Sequence, residues 1–238
     1  MNLIVDIGNT RSKFFLFDSK DKIIEKSIFM NQDEKKIEGY LKSIAFKKMI
    51  VSTTKKLPQF FSNYTFLELN NKTPIPIKIN YATPKTLGSD RIALAVGAFT
   101  RFPNKNCLII GTGTCITTNF IDEKATYQGG SIAPGLTLRL QSLHTFTDML
   151  PLIEHKKDEK EFDLIGKSTK DSIKSGVFNG AFAEIDGIIY RYMQNYKDLT
   201  VILTGGDQEI FAKNLKSIIF ANSNIQALGL NRILNYNV

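Results

Sequence analysis

The chain opens with residues 1–18, MNLIVDIGNTRSKFFLFD, in which an apolar run is interrupted by the polar stretch Asp6–Thr10 and then resumes. Leu3–Val5 are typical of a buried strand, and Phe14–Phe17 of its hairpin partner. The turn between them holds a carboxylate, a glycine, an amide and a hydroxyl, and Lys13 follows shortly after it. We expect this set of groups to bind phosphate.

Each residue type in this turn has a physical reason to contact a polyphosphate. Asp6 offers oxygen ligands that a hard cation such as Mg²⁺ prefers, directly or through water. Gly8 lacks a Cβ, so a phosphate can approach the backbone closely. Asn9 and Thr10 add side-chain donors, and Lys13 adds a positive charge toward oxygens that become more negative during phosphoryl transfer. The alternative is an ordinary hairpin turn, in which Asn, Gly and Asp are common.

Composition sets the remaining limits. The 238 residues are 42% hydrophobic, enough for one large domain or two smaller ones, and no apolar run reaches membrane-spanning length. Cys107 and Cys115 lie in apolar segments without metal-ligand spacing, which predicts reduced cysteines, and with no signal-peptide pattern at the start we expect a cytoplasmic protein. The net charge of +8 favours anionic partners. Because the lysines are scattered, we expect no nucleic-acid partner, and because no apolar run reaches membrane-spanning length, we expect no membrane partner.

The order of elements predicts two α/β halves. After the opening hairpin, the pattern indicates a third strand near Lys22–Phe29, a helix at Asp33–Ser43 and a buried strand at Met49–Ser52. An apolar helix is expected from Ser89 to about Phe102.

The second half then repeats the opening pattern. Cys107–Ile110 predict a strand, Gly111–Thr114 a tight turn and Cys115–Ile121 a returning strand, followed by a third strand near Ala125–Ile132. Farther on, the charged segment Glu154–Glu161 is expected to be exposed and mobile.

Two later features complete the pattern. Residues 171–195 carry apolar side chains at nearly helical spacing (Ile173, Val177, Ala181, Ile185 and Ile188), which predicts one long amphipathic helix. Such a helix could serve the core alone or a dimer interface as well. Val201–Leu203 predict a strand, and Thr204–Asp207 a turn into a helix that could contact a nucleotide or simply connect the two elements.

Taken together, these stretches resemble the type III pantothenate kinases. The matching residues run in family order over nearly the whole chain: Asp6–Thr10 with Lys13, Tyr81, Leu87–Arg91, Gly113–Thr114 with Thr117, Gly129–Gly130 through Pro134–Gly135, Thr169, Leu203–Gly206 and Gly229–Leu230. Each stretch is a weak signal by itself, whereas their order and spacing together are specific.

The resemblance implies an α/β fold of the sugar-kinase, Hsp70 and actin type, with ribonuclease-H-like halves at residues 1–102 and 103–238. It implies a homodimer that transfers the γ-phosphoryl group of ATP to pantothenate, the first step of coenzyme A synthesis. By similarity, the ATP phosphates are lined by Asp6, Gly8, Asn9, Thr10, Lys13 and Thr114. The pantothenate pocket is similarly lined by Tyr81, Gly88, Ser89, Asp90 and Arg91, with Asp90 as the base and Thr169 reaching the pantothenate of the partner subunit.

The chemistry of Asp90 and Arg91 agrees with those roles, although each has a simpler alternative. A carboxylate can orient an alcohol and accept its proton, and a guanidinium can bind a carboxylate with two parallel hydrogen bonds. Alternatively, Asp90 could complement the positive end of its own helix. Arg91 could instead form a surface ion pair.

The chain departs from the family pattern at three acidic positions. Gly111 stands where the family has an aspartate associated with binding K⁺ or another monovalent cation such as NH₄⁺, Asn119 replaces a second acid, and Leu228 replaces a glutamate. We therefore expect altered or absent potassium activation. Two other functions stay open from the sequence: a nucleotide-binding or regulatory homologue without catalysis, and a kinase for another small alcohol.

Overall fold

The computed structural model describes residues 1–53, 55–155 and 161–237. These residues form two compact units. The first contains Met1–Pro103, Ala125–Tyr127 and the chain from Asn224 onward, and the second contains Asn104–Lys124 and Gln128–Ser223. Of the segment Glu154–Glu161, residues 156–160 lie outside the described part of the chain.

The first unit is built on a five-stranded sheet with the strand order β3-β2-β1-β4-β5. Its elements up to residue 101 are β1 (Asn2–Ile7), β2 (Arg11–Phe17), β3 (Ile23–Met30), α1 (Glu34–Ser43), β4 (Lys48–Thr53), β5 (Leu67–Glu68), β6 (Lys78–Ile79) and α2 (Ser89–Arg101). β1 is antiparallel to β2 and parallel to β4, which places it at the centre of the sheet. The predicted opening hairpin is thus confirmed.

The core of this sheet explains why the opening stretch folds as it does. Leu3, Val5 and Phe14 are fully buried, and they pack with Ile37 and Leu41 of α1. Leu3 and Val5, two residues apart in β1, therefore lie on one face of the sheet, and α1 covers that face. This is expected for a helix that buries its apolar side against a sheet.

The second unit has its own sheet. Its elements are β7 (Cys107–Thr112), β8 (Cys115–Ile121), β9 (Thr126–Gly129), β10 (Ile132–Pro134), α3 (Leu136–Thr145), α4 (Thr169–Asn195), β11 (Thr200–Gly205), α5 (Gln208–Asn214) and β12 (Phe220–Ala221), with the first two residues of β9 counted in the first unit. β7 is antiparallel to β8 and parallel to β11, and β11 is parallel to β12. β10 pairs antiparallel with β8.

The two sheets therefore repeat one arrangement of strands. The second sheet has the order β12-β11-β7-β8-β9-β6, and β10 also pairs with β8. Its paired strands β10-β8-β7-β11-β12 match β3-β2-β1-β4-β5 of the first sheet, with the same directions at each step. The strand-turn-strand echo in the sequence corresponds to β1-β2 and β7-β8. This is the ribonuclease-H-like order that the resemblance implies.

The predicted third strand near Ala125–Ile132 is two strands rather than one. β9 and β10 are separated by Gly130 and Ser131, and Gly129 and Gly130 have φ values of 103° and 154°. A Cβ on Gly130 would collide with the backbone carbonyl of Thr118. The chain changes direction here because two glycines permit a backbone conformation that other residues rarely adopt.

The long amphipathic helix is confirmed as α4. Its first turn is capped, because the Ser168 hydroxyl accepts a hydrogen bond of 3.1 Å from the backbone N–H of Asp171. Ile173, Val177, Ala181 and Ile185 are buried as predicted, but Ile189 rather than Ile188 is the next fully buried residue. Strict spacing of four residues keeps the buried side chains on one face of the helix.

The last helix, α6 (Ile225–Asn237), belongs to the first unit. The sequence placed one boundary after residue 102, and the structure passes from the first unit to the second between Pro103 and Asn104 but returns to the first unit at Asn224. The physical reason is a close helix pair. A Cβ on Gly97 of α2 would collide with the carbonyl of Ile225, and one on Gly229 with the carbonyl of Ala93.

None of the helices in the described residues is both long and apolar enough to cross a lipid bilayer.

Candidate functional site

The turn between β1 and β2 is short and braced. The backbone N–H of Gly8 donates to the carbonyl of Arg11 at 3.1 Å. Asn31 donates from its side chain to the carbonyls of Gly8 and Asn9, at 2.8 and 3.1 Å, and its Oδ1 accepts from the Ser12 hydroxyl at 2.8 Å. Asn31 therefore fixes the turn, and sequence reasoning missed it because it lies about twenty residues away in the chain.

The glycine in this turn is not required by backbone strain. Gly8 is not among the residues with positive φ, and an added Cβ would meet the Arg11 carbonyl only at an ordinary 3.6 Å. The fold itself would therefore accept a small side chain here. The absence of one leaves the backbone of the turn open to a ligand.

Asp6 lies at the end of β1, directly opposite Lys13 in β2 and Ser52 in β4. Its side chain is almost fully buried, and Lys13 Nζ lies 3.7 Å from Asp6 Oδ2. The amide of Gln226 donates to Asp6 Oδ1 at 2.8 Å. Burial raises the pKa of Asp6 above its ordinary value, outweighing the lowering by Lys13 and Gln226, and the negative charge of Asp90 raises it further.

Asp90 stands in the first turn of α2, close enough to Asp6 for the two charges to interact. Its Oδ1 accepts a hydrogen bond of 2.8 Å from the backbone N–H of Arg91. Gly88 makes room for this carboxylate, because a Cβ there would lie 2.5 Å from Asp90 Oδ1. Both interpretations of Asp90 from the sequence are thus compatible with its position, since one oxygen accepts a hydrogen bond within its own helix while its charge also acts on Asp6.

Ser89 ties the start of α2 to the sheet. Its hydroxyl oxygen lies 3.1 Å from that of Ser52, which is buried and in register with Asp6. This contact positions the first turn of α2 relative to the strand that neighbours β1.

Arg91 is not a surface residue. It is only 5% exposed, and its guanidinium carbon lies 6.0 Å from the ring centre of Tyr81 and 5.9 Å from that of Tyr127. The two rings lie 6.2 Å apart, and Tyr127 is fully buried. The surface ion pair considered for Arg91 is therefore wrong, and an aromatic pair flanks the guanidinium. Tyr127 carries no motif that would have identified it from the sequence.

Thr114 lies in the equivalent turn of the second unit, between β7 and β8. Gly113 donates from its backbone N–H to the carbonyl of Cys115 at 3.1 Å, and Gly135 donates to the carbonyl of Thr114 at 3.0 Å. Thr114 is exposed. Its hydroxyl is thus available to a ligand in the turn that joins the paired strands β7 and β8.

The turn after β11 is held against the end of β7. Gly205 has a φ of 115°, and a Cβ on it would collide with the Thr112 carbonyl. The Thr112 hydroxyl donates to the carbonyl of Thr204 at 2.9 Å, and the backbone N–H of Asp207 donates to the carbonyl of Thr112 at 3.1 Å. The Thr204–Asp207 turn therefore needs glycine for a structural reason.

The residues around Gly111 do not fit a cation site. Gly111 pairs with Thr117 and Thr204 in the sheet and brings no side chain. Asn119 is fully buried, and its amide donates to the Thr117 hydroxyl at 3.3 Å. Leu228 lies on α6 in the other unit. Among the described residues, no cluster of three or more His, Cys, Asp or Glu side chains is arranged to hold a metal.

Thr169 begins α4 and lines a cavity of about 520 Å³ in the second unit. The cavity is bounded by α3, by Leu150 and by the first turns of α4. Arg139 on its wall is engaged, since its Nη2 lies 2.6 Å from Glu184 Oε2 and its Nε donates to the Pro134 carbonyl at 2.8 Å. Thr169 is thus in a different unit from Asp90 and Arg91.

Known proteins that resemble this chain over its full length belong to one family. The family model described as type III pantothenate kinase matches residues 2–191. The type III pantothenate kinase of Christiangramia forsetii is 44% identical over all of this chain and 99% of its own length. That of Cytophaga hutchinsonii is 41% identical, with full coverage of both chains.

Solved structures extend the likeness to the fold. A Baf family protein from Campylobacter jejuni is 21% identical and superposes with a TM-score of 0.64 over 99% of this chain and 98% of its own. The activator of 2-hydroxyisocaproyl-CoA dehydratase from Clostridium difficile, with bound ADPNP, is 14% identical with a TM-score of 0.51, over 99% and 93% of the two chains. The fold is that of the actin-like ATPases and sugar kinases. With the family model and two full-length relatives in agreement, this chain belongs to the type III pantothenate kinases, which are ATP-dependent kinases.

Proposed function

We propose that this kinase phosphorylates pantothenate, and that its catalytic and substrate-binding residues include Asp6, Lys13, Asp90 and Arg91. The observation that supports the proposal most directly is the pair of acids in the first unit: Asp6 is buried beside Lys13, and the charge of Asp90 reaches it. An acid whose pKa is raised by burial, and raised further by a second acid, is costly for a fold, and such arrangements concentrate at functional sites.

In this proposal, the Asp6–Thr10 turn and Lys13 contact the phosphates of ATP, and so does Thr114. Gly8, Asn9 and Thr10 supply backbone and side-chain donors, and Lys13 supplies a charge opposite Asp6. Asp6 fits the role of a Mg²⁺ ligand, because magnesium on a nucleotide is held by one or two carboxylates and the phosphates themselves rather than by a large cluster of acids. When bound, the metal neutralises charge that develops on the phosphate oxygens.

Asp90 acts as the general base. Its carboxylate is held through Oδ1 by the backbone N–H of Arg91, which fixes its direction. It accepts the proton of the primary hydroxyl of pantothenate as that oxygen forms its bond to the γ-phosphorus of ATP and the bond to the β-phosphate oxygen breaks. ADP leaves with the former bridging oxygen.

Arg91 binds the carboxylate of pantothenate. Its planar guanidinium can donate two parallel hydrogen bonds, and the rings of Tyr81 and Tyr127 hold it in place. Gly88 and Ser89 shape the start of the helix that carries both Arg91 and Asp90. The acid end and the alcohol end of the substrate are thus read by adjacent residues.

We also propose that the protein acts as a homodimer in which Thr169 contacts the pantothenate bound by the partner copy. The support is a set of exposed apolar side chains between α3 and α4, the two helices that line the Thr169 cavity: Phe146, Met149, Leu152, Leu164 and Ile165, which are between 51% and 90% exposed. Large apolar side chains that are exposed together mark an interaction surface. A second copy of the chain is the occupant that would also bring Thr169 to a substrate.

The residues present do not fit the monovalent cation that the family resemblance implies. Gly111 offers only backbone, and the nearby Asn119 is neutral and already donates to Thr117. An anionic oxygen ligand would strengthen the binding of a weakly held ion such as K⁺ or NH₄⁺, and neither residue supplies one.

We place the reaction in the cytoplasm, with ATP and pantothenate as its partners. Two cysteines, Cys107 and Cys115, are both free. Burial raises the pKa of the Cys107 thiol to about 12, so it stays protonated and inert at neutral pH. Free cysteines are usual in a reducing compartment.

The decisive experiment uses the purified protein with ATP, MgCl₂ and pantothenate, and detects phosphopantothenate by mass spectrometry. The wild type should form the product, and Asp90→Asn should lower kcat by about 100-fold or more while ADP binding is retained, since a general base contributes about 10²–10⁴-fold. Full activity of Asp90→Asn would overturn its assignment as the base. Equal turnover of small alcohols that lack a carboxylate would overturn the role of Arg91.

A further inference from the structure

Gln226 contacts Asp6 from the far end of the chain. It lies in the first turn of α6, and its Nε2 donates to Asp6 Oδ1 at 2.8 Å. The two residues are 220 positions apart. No motif in the sequence relates them, and the catalytic assignments above do not use Gln226.

The Asp6 carboxylate has a physical need for such a partner. It is 9% exposed, so most of its hydration is lost on folding. Lys13 Nζ stands 3.7 Å from Oδ2, which is longer than a hydrogen bond, and its side chain is 36% exposed. The contact from Gln226 is the shorter of the two and is directed at the other oxygen.

The position of Gln226 is fixed by the backbone rather than by its own side chain. Its neighbour Ile225 has its carbonyl against Gly97, and the Ala93 carbonyl lies against Gly229. These contacts lock α6 onto α2, the helix whose first turn carries Asp90. One helix pair therefore sets the placement of both Asp90 and Gln226.

We propose that Gln226 is a positioning residue for phosphoryl transfer, which holds Oδ1 of Asp6 so that Oδ2 faces Lys13 and the phosphates of ATP. This inference rests on the proposed role of Asp6. A group that orients a ligating or charge-bearing carboxylate typically contributes about 10–100-fold to metal affinity or activity.

The test compares Gln226→Leu with Asn237→Leu. Asn237 is a matched control because it is also a side-chain amide on α6, donating to the carbonyls of Pro74 and Ile233 at 2.9 and 2.8 Å. We expect Gln226→Leu to lower kcat by about 10–100-fold with the KM for pantothenate unchanged. It should also weaken the binding of Mn²⁺, used as a spectroscopic probe, to the ADP complex. Asn237→Leu should lower the melting temperature comparably and leave kcat and Mn²⁺ binding unchanged.

A double variant separates positioning from general damage. If Gln226 acts through Asp6, then Asp6→Asn/Gln226→Leu should be no less active than Asp6→Asn alone. Wild-type kcat and Mn²⁺ affinity in Gln226→Leu, or equal losses in Asn237→Leu, would overturn the inference while leaving the role of Asp6 intact. Full activity of Asp6→Asn would instead overturn the proposed role of Asp6, and the inference with it.

Discussion

Asp6 shows, at the scale of one residue, what the proposed catalytic site costs the fold in stability. Its carboxylate is buried, and the charge of Asp90 adds to the cost, so the folded protein favours the protonated acid more than the unfolded chain does. The lysine opposite it is partly exposed and 3.7 Å away, so the ion pair offsets little of that cost. A residue placed for stability alone would not carry a charge here.

Asp6→Asn should therefore stabilise the fold while abolishing function. The pKa of Asp6 is raised in the folded state, so ionising Asp6 destabilises the folded protein. The free energy of unfolding of the wild type should therefore fall as pH rises through and above the ordinary carboxyl range. The gain in melting temperature from Asp6→Asn should be largest near pH 7 and should fade as the pH falls and wild-type Asp6 becomes protonated. Calorimetry of the ligand-free protein in EDTA measures this, and kcat should fall by about 100-fold or more. A variant that is less stable at pH 7 would show that burial is not the dominant effect.

Arg91 gives a second prediction at this scale. Arg91→Lys keeps the charge but loses the planar pair of donors, so the KM for pantothenate should rise by about 10–100-fold, corresponding to one lost charged hydrogen bond. An analogue in which the carboxylate is reduced to an alcohol provides the control, since its KM should be similar for wild type and variant. If the KM of both substrates rises equally, Arg91 serves the packing of Tyr81 and Tyr127 rather than the recognition of the carboxylate.

Gly111 gives the third prediction at the scale of one residue. With no anionic side chain at this position, turnover should differ by less than about twofold among K⁺, NH₄⁺ and Na⁺ buffers of equal ionic strength. Gly111→Asp should introduce or strengthen a dependence on K⁺, and Gly111→Ala controls for the added Cβ. Strong activation of the wild type by potassium, lost when the ion is removed, would contradict the prediction.

At the scale of residues, the sequence predicted the groups that stand in motifs but not the groups that support them. Asp6, Lys13, Asp90 and Arg91 lie in short patterns whose chemistry can be stated directly. The supporting groups lie far from their partners in the chain. Asn31 contacts Asn9 across 22 positions, and Tyr127 contacts Arg91 across 36. Gln226 contacts Asp6 across 220 positions. A single amide or ring carries no local signal, so only the fold reveals them.

At the scale of elements, the helix pair α2-α6 depends on two glycines. A Cβ at Gly97 or Gly229 would collide with a backbone carbonyl of the other helix, which cannot move away as a flexible side chain could. The sequence placed α2 correctly but gave no reason to join it to the last helix. Periodicity identifies an apolar face, whereas the choice of partner for that face depends on shape.

Gly97→Ala should destabilise the protein by about 1–3 kcal/mol, the usual cost of overpacking. Gly39→Ala is the matched control, because Gly39 is an exposed helical glycine in α1 with nothing within 4 Å of an added Cβ. That substitution should stabilise by about 0.5–1 kcal/mol through reduced entropy of the unfolded chain. Urea unfolding of both variants measures the difference, and equal effects would show that the close contact of α2 and α6 is not needed.

At the scale of the whole molecule, the duplicated strand order was predictable because each unit begins with the same strand-turn-strand pattern. The division of the chain into its two units was harder to predict. Residues 125–127 and the last helix belong to the first unit, because β9 pairs with β6 and α6 packs on α2. Both contacts join segments far apart in the chain, and no change in composition marks them.

The proposed homodimer yields the last prediction, which needs two complete chains. If Thr169 acts on the substrate of the partner copy, then Asp90→Asn and Thr169→Val are defects in different chains of one site. Mixing the two variants and allowing subunits to exchange should restore activity, because each mixed dimer has one site in which both Asp90 and Thr169 are intact. With random exchange of equal amounts, about half of the dimers are mixed, so about a quarter of all sites are intact. Phe146→Asp in both chains, which places a charge at an exposed apolar position, should prevent the recovery and shift the sedimentation coefficient toward that of a monomer. Activity of the mixture equal to the average of the two separate variants would mean that Thr169 does not act across an interface, even if the protein sediments as a dimer.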